Sequence, residues 1–171
     1  VGSFRFEARR LAGVGVVSAL VVLFSIGMVW FTETFTAQIL QPHIARYGDK
    51  PVILAISGEP GIGHPAVRAL GGTWVSRESN LWITRHVDYM KEHSLIRPGA
   101  GEALGRHVAR ERDWLIEDIK QRPPTVVLVD NIDGRWGKWI SADAELSALL
   151  KPYTKADSIH GVDILVRANA A

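Results

Sequence analysis

The sequence predicts an α/β protein: one N-terminal transmembrane helix followed by a small α/β sandwich with a largely parallel sheet. Three observations predict it. Residues 11–31, "LAGVGVVSALVVLFSIGMVWF", carry no charge; at about 1.5 Å of rise per residue they would span roughly 31 Å, the thickness of a bilayer's hydrocarbon core. Further on, "PVILAIS" and "TVVLVD" are apolar throughout, as in strands covered on both faces. These strands alternate with segments of helical period, which is the pattern of a parallel sheet flanked by helices.

Residues 1–10 read as a cytoplasmic flank, because Arg5, Arg9 and Arg10 outweigh Glu7, whereas the far side begins with Glu33 and has no cation before Arg46. Residues 11–31 read as the transmembrane helix. Trp30, Phe31 and Phe35 fall where an interfacial aromatic belt belongs. A signal peptide fits less well, since its apolar region is shorter and "TETFTAQ" is a poor cleavage site. Ala12, Gly15 and Ala19 share one helix face, a spacing that lets two membrane helices approach closely. Residues 32–49 read as a membrane-proximal connector, with an amphipathic stretch broken or kinked by Pro42. Residues 50–171 read as an extracytoplasmic α/β domain, long enough for its own core. The chain opens on Val, and further helices ahead of it are an open expectation.

Within that domain "PVILAIS" reads as a strand, "HPAVRALG" as a short helix and "TWVSR" as a short strand. "NLWITRHVDYMKEH" reads as helical, with the loop "RPGAG" after it. "EALGRHVARERDWLIEDIKQR" is the most regular helix, with Leu104, Val108, Leu115 and Ile119 as its apolar stripe and Pro123–Pro124 as its stop. "TVVLVD" reads as a second buried strand, "AELSALLKPY" as a helix and "GVDILVR" as a final strand.

The 20 basic and 18 acidic residues leave a net charge of +2. That balance, without a basic stripe and interleaved aromatics, argues against a nucleic-acid partner. The chain has no Cys, so neither a disulfide nor thiolate chemistry is available.

"SGEPGIGHP" follows the first strand and resembles a phosphate-binding P-loop, G-x-x-x-x-G-K-[ST]. Gly58 and Gly63 have the right spacing. His64 stands where the Lys belongs and Pro65 where the hydroxyl belongs, so both chemically essential positions are lost. No nucleotide and no other cofactor is expected. A weak anion site at Gly61, Gly63 and His64 stays open. The six His residues show no metal spacing, and no metal site is expected; His86 and His93 lie on one helix face. Ser57 and Ser76 lack the G-x-S-x-G elbow of a hydrolase.

In open α/β sheets ligands sit beyond the carboxyl ends of the strands, which selects the loops at 57–64 and 130–139. Asp130 and Asp133 fit a carboxylate pair or, more simply, turn capping. The second loop, "DNIDGRWGKW", sets Trp136 and Trp139 beside Arg135 and Lys138. A Trp beside a cation suits a lipid headgroup layer or a sugar ring; the alternative is that a Trp anchors the loop in the core.

One apolar helix followed by "RPPTVVLVDN … LSALLKPYTKADSIHGVDILVRAN" resembles the carboxy-terminal end of GT-C-type membrane glycosyltransferases, related to the protein mannosyltransferases and the bacterial aminoarabinose transferases. The shared features are a proline-led strand, a helix ending in Tyr and a last strand ending in Arg. The resemblance implies a non-catalytic fragment of a polytopic enzyme in the cell (inner) membrane. Its partners would be the lipid bilayer, other membrane helices of the parent chain and a polyprenyl-phosphate-linked sugar. The catalytic Asp of that family lies upstream of Val1, so no catalytic residue is carried over. The alternative is a single-pass protein whose outer domain binds a ligand or another protein.

Overall fold

The computed structural model describes residues 15–28 and 38–168. Contacts divide the chain into two compact units, residues 1–35 and 36–171.

Of the first unit, residues 15–28 are helical and expose apolar side chains such as Val17, Leu20, Leu23 and Phe24. The transmembrane helix in the expected fold class is corrected here. Among the described residues no helix is long and apolar enough to cross a membrane. Fourteen helical residues reach only about 21 Å, short of a hydrocarbon core of roughly 30 Å. Ala12, the arginine flank and the aromatic belt at Trp30, Phe31 and Phe35 lie outside the described residues.

The second unit is an α/β domain on a five-stranded sheet. Its strands are β1 (Val52–Ile56), β2 (Thr73–Trp74), β3 (Val126–Asp130), β4 (Tyr153–Ile159) and β5 (Val162–Arg167), in the order β2-β1-β3-β5-β4. Its helices are α1 (His64–Ala69), α2 (Trp82–Glu92), α3 (Gly101–Gln121), α4 (Arg135–Ala142) and α5 (Ala144–Leu150). Residues 38–44 are helical and pass into a 3-10 turn at Ala45–Tyr47.

Alternation along the strands builds two cores, because successive side chains point to opposite faces. Leu54, Ile56, Val127 and Val129 pack against Leu115, Ile116 and Ile119 of α3 and against Leu146 and Leu150 of α5. Ile53, Ala55, Val126 and Leu128 pack against Ala66 and Val67 of α1 and against Leu40 and Ile44. Residues 38–44, read from the sequence as part of a connector, therefore close the second face. His43 fastens them further, its Nδ1 lying 2.8 Å from Asp157 on β4.

The sheet is mixed, which corrects the largely parallel expectation. β1 pairs in parallel with β2 and β3, but β5 pairs antiparallel with both β3 and β4. The cause is a hairpin, β4–β5, that the sequence reading does not contain. Its two-residue turn, His160–Gly161, has both φ angles positive, 49° and 81°, as the hairpin turns matched to strand twist require. β4 escapes a hydrophobic scan because it is an edge strand whose middle, Thr154 to Ala156, is exposed.

Two buried carboxylates of α3 hold the segment ahead of α2. Glu111, 2 % exposed, accepts bonds from the backbone N–H groups of Ile83 and Thr84 and from the Thr84 hydroxyl, at 3.1, 2.8 and 2.6 Å. α2 has no side-chain cap of its own, so a residue of another helix satisfies its first donors. Asp118 accepts from the Arg77 backbone N–H and guanidinium. Glu111→Ala should cost about 2–4 kcal/mol, since it leaves buried donors unpaired; a urea titration followed by circular dichroism measures this.

Asp143 caps α5 by accepting from the N–H groups of Glu145 and Leu146. The Arg112 guanidinium, with those two N–H groups, holds its carboxyl at about 2 against an ordinary 3.8. The folded value lies below the unfolded one, so the stabilisation is complete above pH 3.8 and is lost as pH falls toward 2. Asp143→Asn keeps a cap but loses the ion pair. The stability difference between wild type and this variant should shrink by about 2 kcal/mol between pH 5 and pH 2, read from urea midpoints.

Candidate functional site at the carboxyl edge of the sheet

The chain leaves β1 toward β2 and leaves β3 toward the opposite side of the sheet. The carboxyl ends of these two parallel strands therefore form a topological switch point, the place where ligands sit in open α/β sheets. The residues at this point are stitched together. Ser57, 1 % exposed, donates its hydroxyl to Asp130 Oδ2 at 2.9 Å and accepts the Glu59 N–H at 2.8 Å. The Leu81 N–H donates to the Ser57 carbonyl at 2.7 Å, and the Asn80 amide to the Gly58 carbonyl at 2.6 Å. The start of α2 is thereby fixed against the loop after β1.

That anchoring lays Arg85 across Gly58. A methyl group at position 58 would sit 2.6 Å from Arg85 Cγ and 2.8 Å from its Cβ. The absence of a side chain at 58 is what lets the arginine stem cross the loop. Among the described residues the Arg85 guanidinium, half-buried, has no ion pair and no hydrogen bond. Its charge reaches Asp133, whose carboxyl is held below the usual range chiefly by the Arg135 N–H and less by Arg85.

Three carboxylates at this edge are engaged, while Glu59, in the loop after β1, is exposed and its carboxylate has no bond among the described residues. Asp130 is bonded by Ser57. Asp133 accepts from the Arg135 N–H at 2.9 Å and from its Nε at 3.2 Å. Arg135 also pairs with Glu92 at 3.0 Å, and this contact first, then Asp133, raises its pKa. Burial pushes Asp163 up, but bonds from Lys155, Ser158 and Asn131 together bring it below the usual range. Asn131 ties the edge together, donating to Asp163 at 3.2 Å and accepting the Gly137 N–H at 3.3 Å. Beside these pairs the Arg85 guanidinium is a half-buried cation with no ion pair among the described residues, while Lys138 and Glu59 are exposed. Such an arrangement can hold an anionic or carbonyl group through charge-assisted hydrogen bonds.

The structure redistributes the residues expected from sequence. Arg135, Trp136, Lys138 and Trp139 belong to helix α4 and not to a loop. Trp136 is 3 % exposed in the core, with Trp139 half-buried and edge-on to it at 5.5 Å. Only Lys138 is exposed. A ring sealed in the core cannot meet a headgroup layer or a sugar. Gly63 has a packing reason: a side chain there would collide with the Trp74 ring. His64 lies over that same ring at 4.9 Å. Gly61 borders open space. Asp133 is spent on the turn into α4, as turn capping expects, whereas Asp130 is bonded by Ser57 from the other loop and caps no turn. His86 and His93 are exposed on α2, and the described residues hold no group of three potential metal ligands.

Sequence reasoning missed Arg85, which sits unmarked in "WITRH". It missed Glu111 too, which looks like one more surface acid of a charged helix. No protein-family model matches the chain, and no curated protein or solved structure is significantly similar to it.

The two indoles should separate in a stability measurement. Trp136→Ala should cost about 3–5 kcal/mol, as for a large aromatic removed from a core. Trp139→Ala should cost clearly less. Equal, small losses in urea midpoint would return Trp136 to the surface.

Proposed function

We propose that this chain is a non-catalytic part of a GT-C-type membrane glycosyltransferase. In this reading its α/β domain lies on the extracytoplasmic side and holds the phosphate of a polyprenyl-phosphate-linked sugar. The observation that carries the reading is Arg85, a half-buried guanidinium at the switch point with no ion pair and no hydrogen bond among the described residues. A planar, always-charged fork of donors suits a phosphate diester. Asp130, Asp133 and Asp163 are already bonded to neighbouring side chains, which leaves the Arg85 guanidinium as the group suited to holding an anion.

The resemblance adds support of a different kind. Its proline-led strand is β3 and its last strand is β5. Its Tyr153 follows α5 and donates its hydroxyl to the Pro124 carbonyl at 2.8 Å. Two residues of the resemblance thus meet in one buried contact.

The full chain in detergent should bind a short-chain polyprenyl-phosphate sugar, and Arg85→Ala should weaken that binding about tenfold, the worth of one charge-assisted hydrogen bond. Isothermal titration measures it. Equal affinity in the variant would remove Arg85 from the site. The gene upstream of Val1 tests the rest: further long apolar segments are expected, and an initiator Met close ahead would favour a separate binding protein.

A further inference from the structure

The helical hairpin α2–α3 outruns the sheet it packs on. α3 has 21 residues, about 31 Å, against about 17 Å for a five-residue strand. Glu111 marks the level of the sheet's carboxyl edge, since it caps the helix whose preceding residue is bonded to Ser57. Every buried residue of α3 lies at or after Glu111. No residue from 88 to 110 is buried. The end of α2, the loop and the first half of α3 therefore stand clear of both cores, beyond the edge that carries the switch point.

This tip is apolar and basic together. Tyr89 is 43 % and Leu95 57 % exposed. Ile96, Leu104 and Val108 are only half-buried, although the last two belong to the expected apolar stripe. Between 88 and 110 the charged residues are Lys91, Arg97, Arg106 and Arg110 against Asp88, Glu92 and Glu102, a balance of +1. Glu102 is itself taken by Arg106. Asp88 is flanked by Lys91 and Arg135, and Glu92 is turned to Arg135. The Arg97 guanidinium has no partner among the described residues, and Arg110 has no carboxylate, lying over the Trp114 ring and beside His107.

The geometry points to the α2–α3 tip as a docking surface for anionic phospholipid headgroups, with Leu95 and Tyr89 entering the interface and Arg97 and Arg110 meeting phosphates. Charge complementarity selects that occupant. Neither Arg97 nor Arg110 meets a carboxylate among the described residues, which favours an anionic partner, and the exposed Leu95 and Tyr89 beside them suit its interfacial layer. Aromatic, aliphatic and cationic side chains at one projecting end are the composition of a membrane-interface anchor. The surface deepens the proposed reading by placing the switch point beside a bilayer. It is tested without any sugar donor, so its failure leaves the Arg85 titration untouched, and the reverse also holds.

The chain lacks Cys, so Ala100→Cys labelled with an environment-sensitive fluorophore reports on the tip alone, and Lys151→Cys serves as a distant control. The full chain is added to phosphatidylcholine vesicles with and without phosphatidylglycerol. The expected result is a blue shift of the Ala100 probe only with the anionic lipid, reversed by salt and absent at Lys151. Arg97→Glu should weaken it several-fold, and Arg97→Glu with Arg110→Glu about tenfold or more. The Arg97 side chain is exposed and makes no bond among the described residues, so the single variant keeps the test sound if the double one misfolds. No shift with either vesicle, or an equal shift with both, would overturn the proposal: the first leaves the tip to water or to another protein, the second to apolar contact without phosphate.

Discussion

The position of the whole carboxyl edge depends on one interaction, the buried Glu111 carboxylate on the first turn of α2. A helix that starts at Leu81 without a cap leaves its first N–H groups unpaired, and burying them unpaired would be costly. A carboxylate from α3 meets the need with three bonds, two of them to backbone. Asp118, two turns further along the same helix, secures Arg77 in the same way. Between those two anchors residues 77–84 have little freedom. Leu81 and Asn80 are then delivered to the carbonyls of Ser57 and Gly58, and the Arg85 stem lies over the glycine. The local fold of a charged surface helix thus places this half-buried cation at the switch point.

The same accounting explains which parts of the fold are legible in the sequence. β1 and β3 declare themselves because both faces are covered, so every position is apolar. α3 declares itself through Leu115 and Ile119. β4 stays hidden because its burial is confined to its ends, Tyr153 and the half-buried Asp157 and Ile159, while Lys155 guards an exposed edge. The consequence is larger than one missed strand, since β4 and β5 as a hairpin turn the second half of the sheet antiparallel. The apolar residues 15–28 mislead in the opposite sense: hydrophobicity identifies a helix there, but the described helix is too short for the span that composition alone implies.

The candidate site was legible only as a place. The rule that ligands gather at strand carboxyl ends selects two loops that adjoin in the fold, since Ser57 and Asp130 meet there. The residue types that look chemical in sequence fare less well. Trp136 has the composition of an interface anchor and the burial of a core residue. Conversely Arg85 has no sequence signal, because its significance is relational: it matters that Gly58 lies under it and that no carboxylate claims it. Pairings of this kind, between residues separated in sequence, are invisible to periodicity and motif alike.

The three glycines that give "SGEPGIGHP" its P-loop aspect show how packing can imitate chemistry. In a P-loop the glycines bring backbone N–H groups to a phosphate. Here Gly63 makes room for the Trp74 ring, and Gly58 for the Arg85 stem. Only Gly61 borders open space. The cation that such a loop normally supplies from its own helix is missing at His64, yet one arrives at the neighbouring Gly58 from α2. An anion bound here would be held from the opposite side of the loop to a nucleotide, by a guanidinium fork over the first glycine and not by a lysine after the last. A single phosphate diester needs no more than that, whereas a triphosphate with its metal needs the backbone cradle and hydroxyl that Pro65 removes.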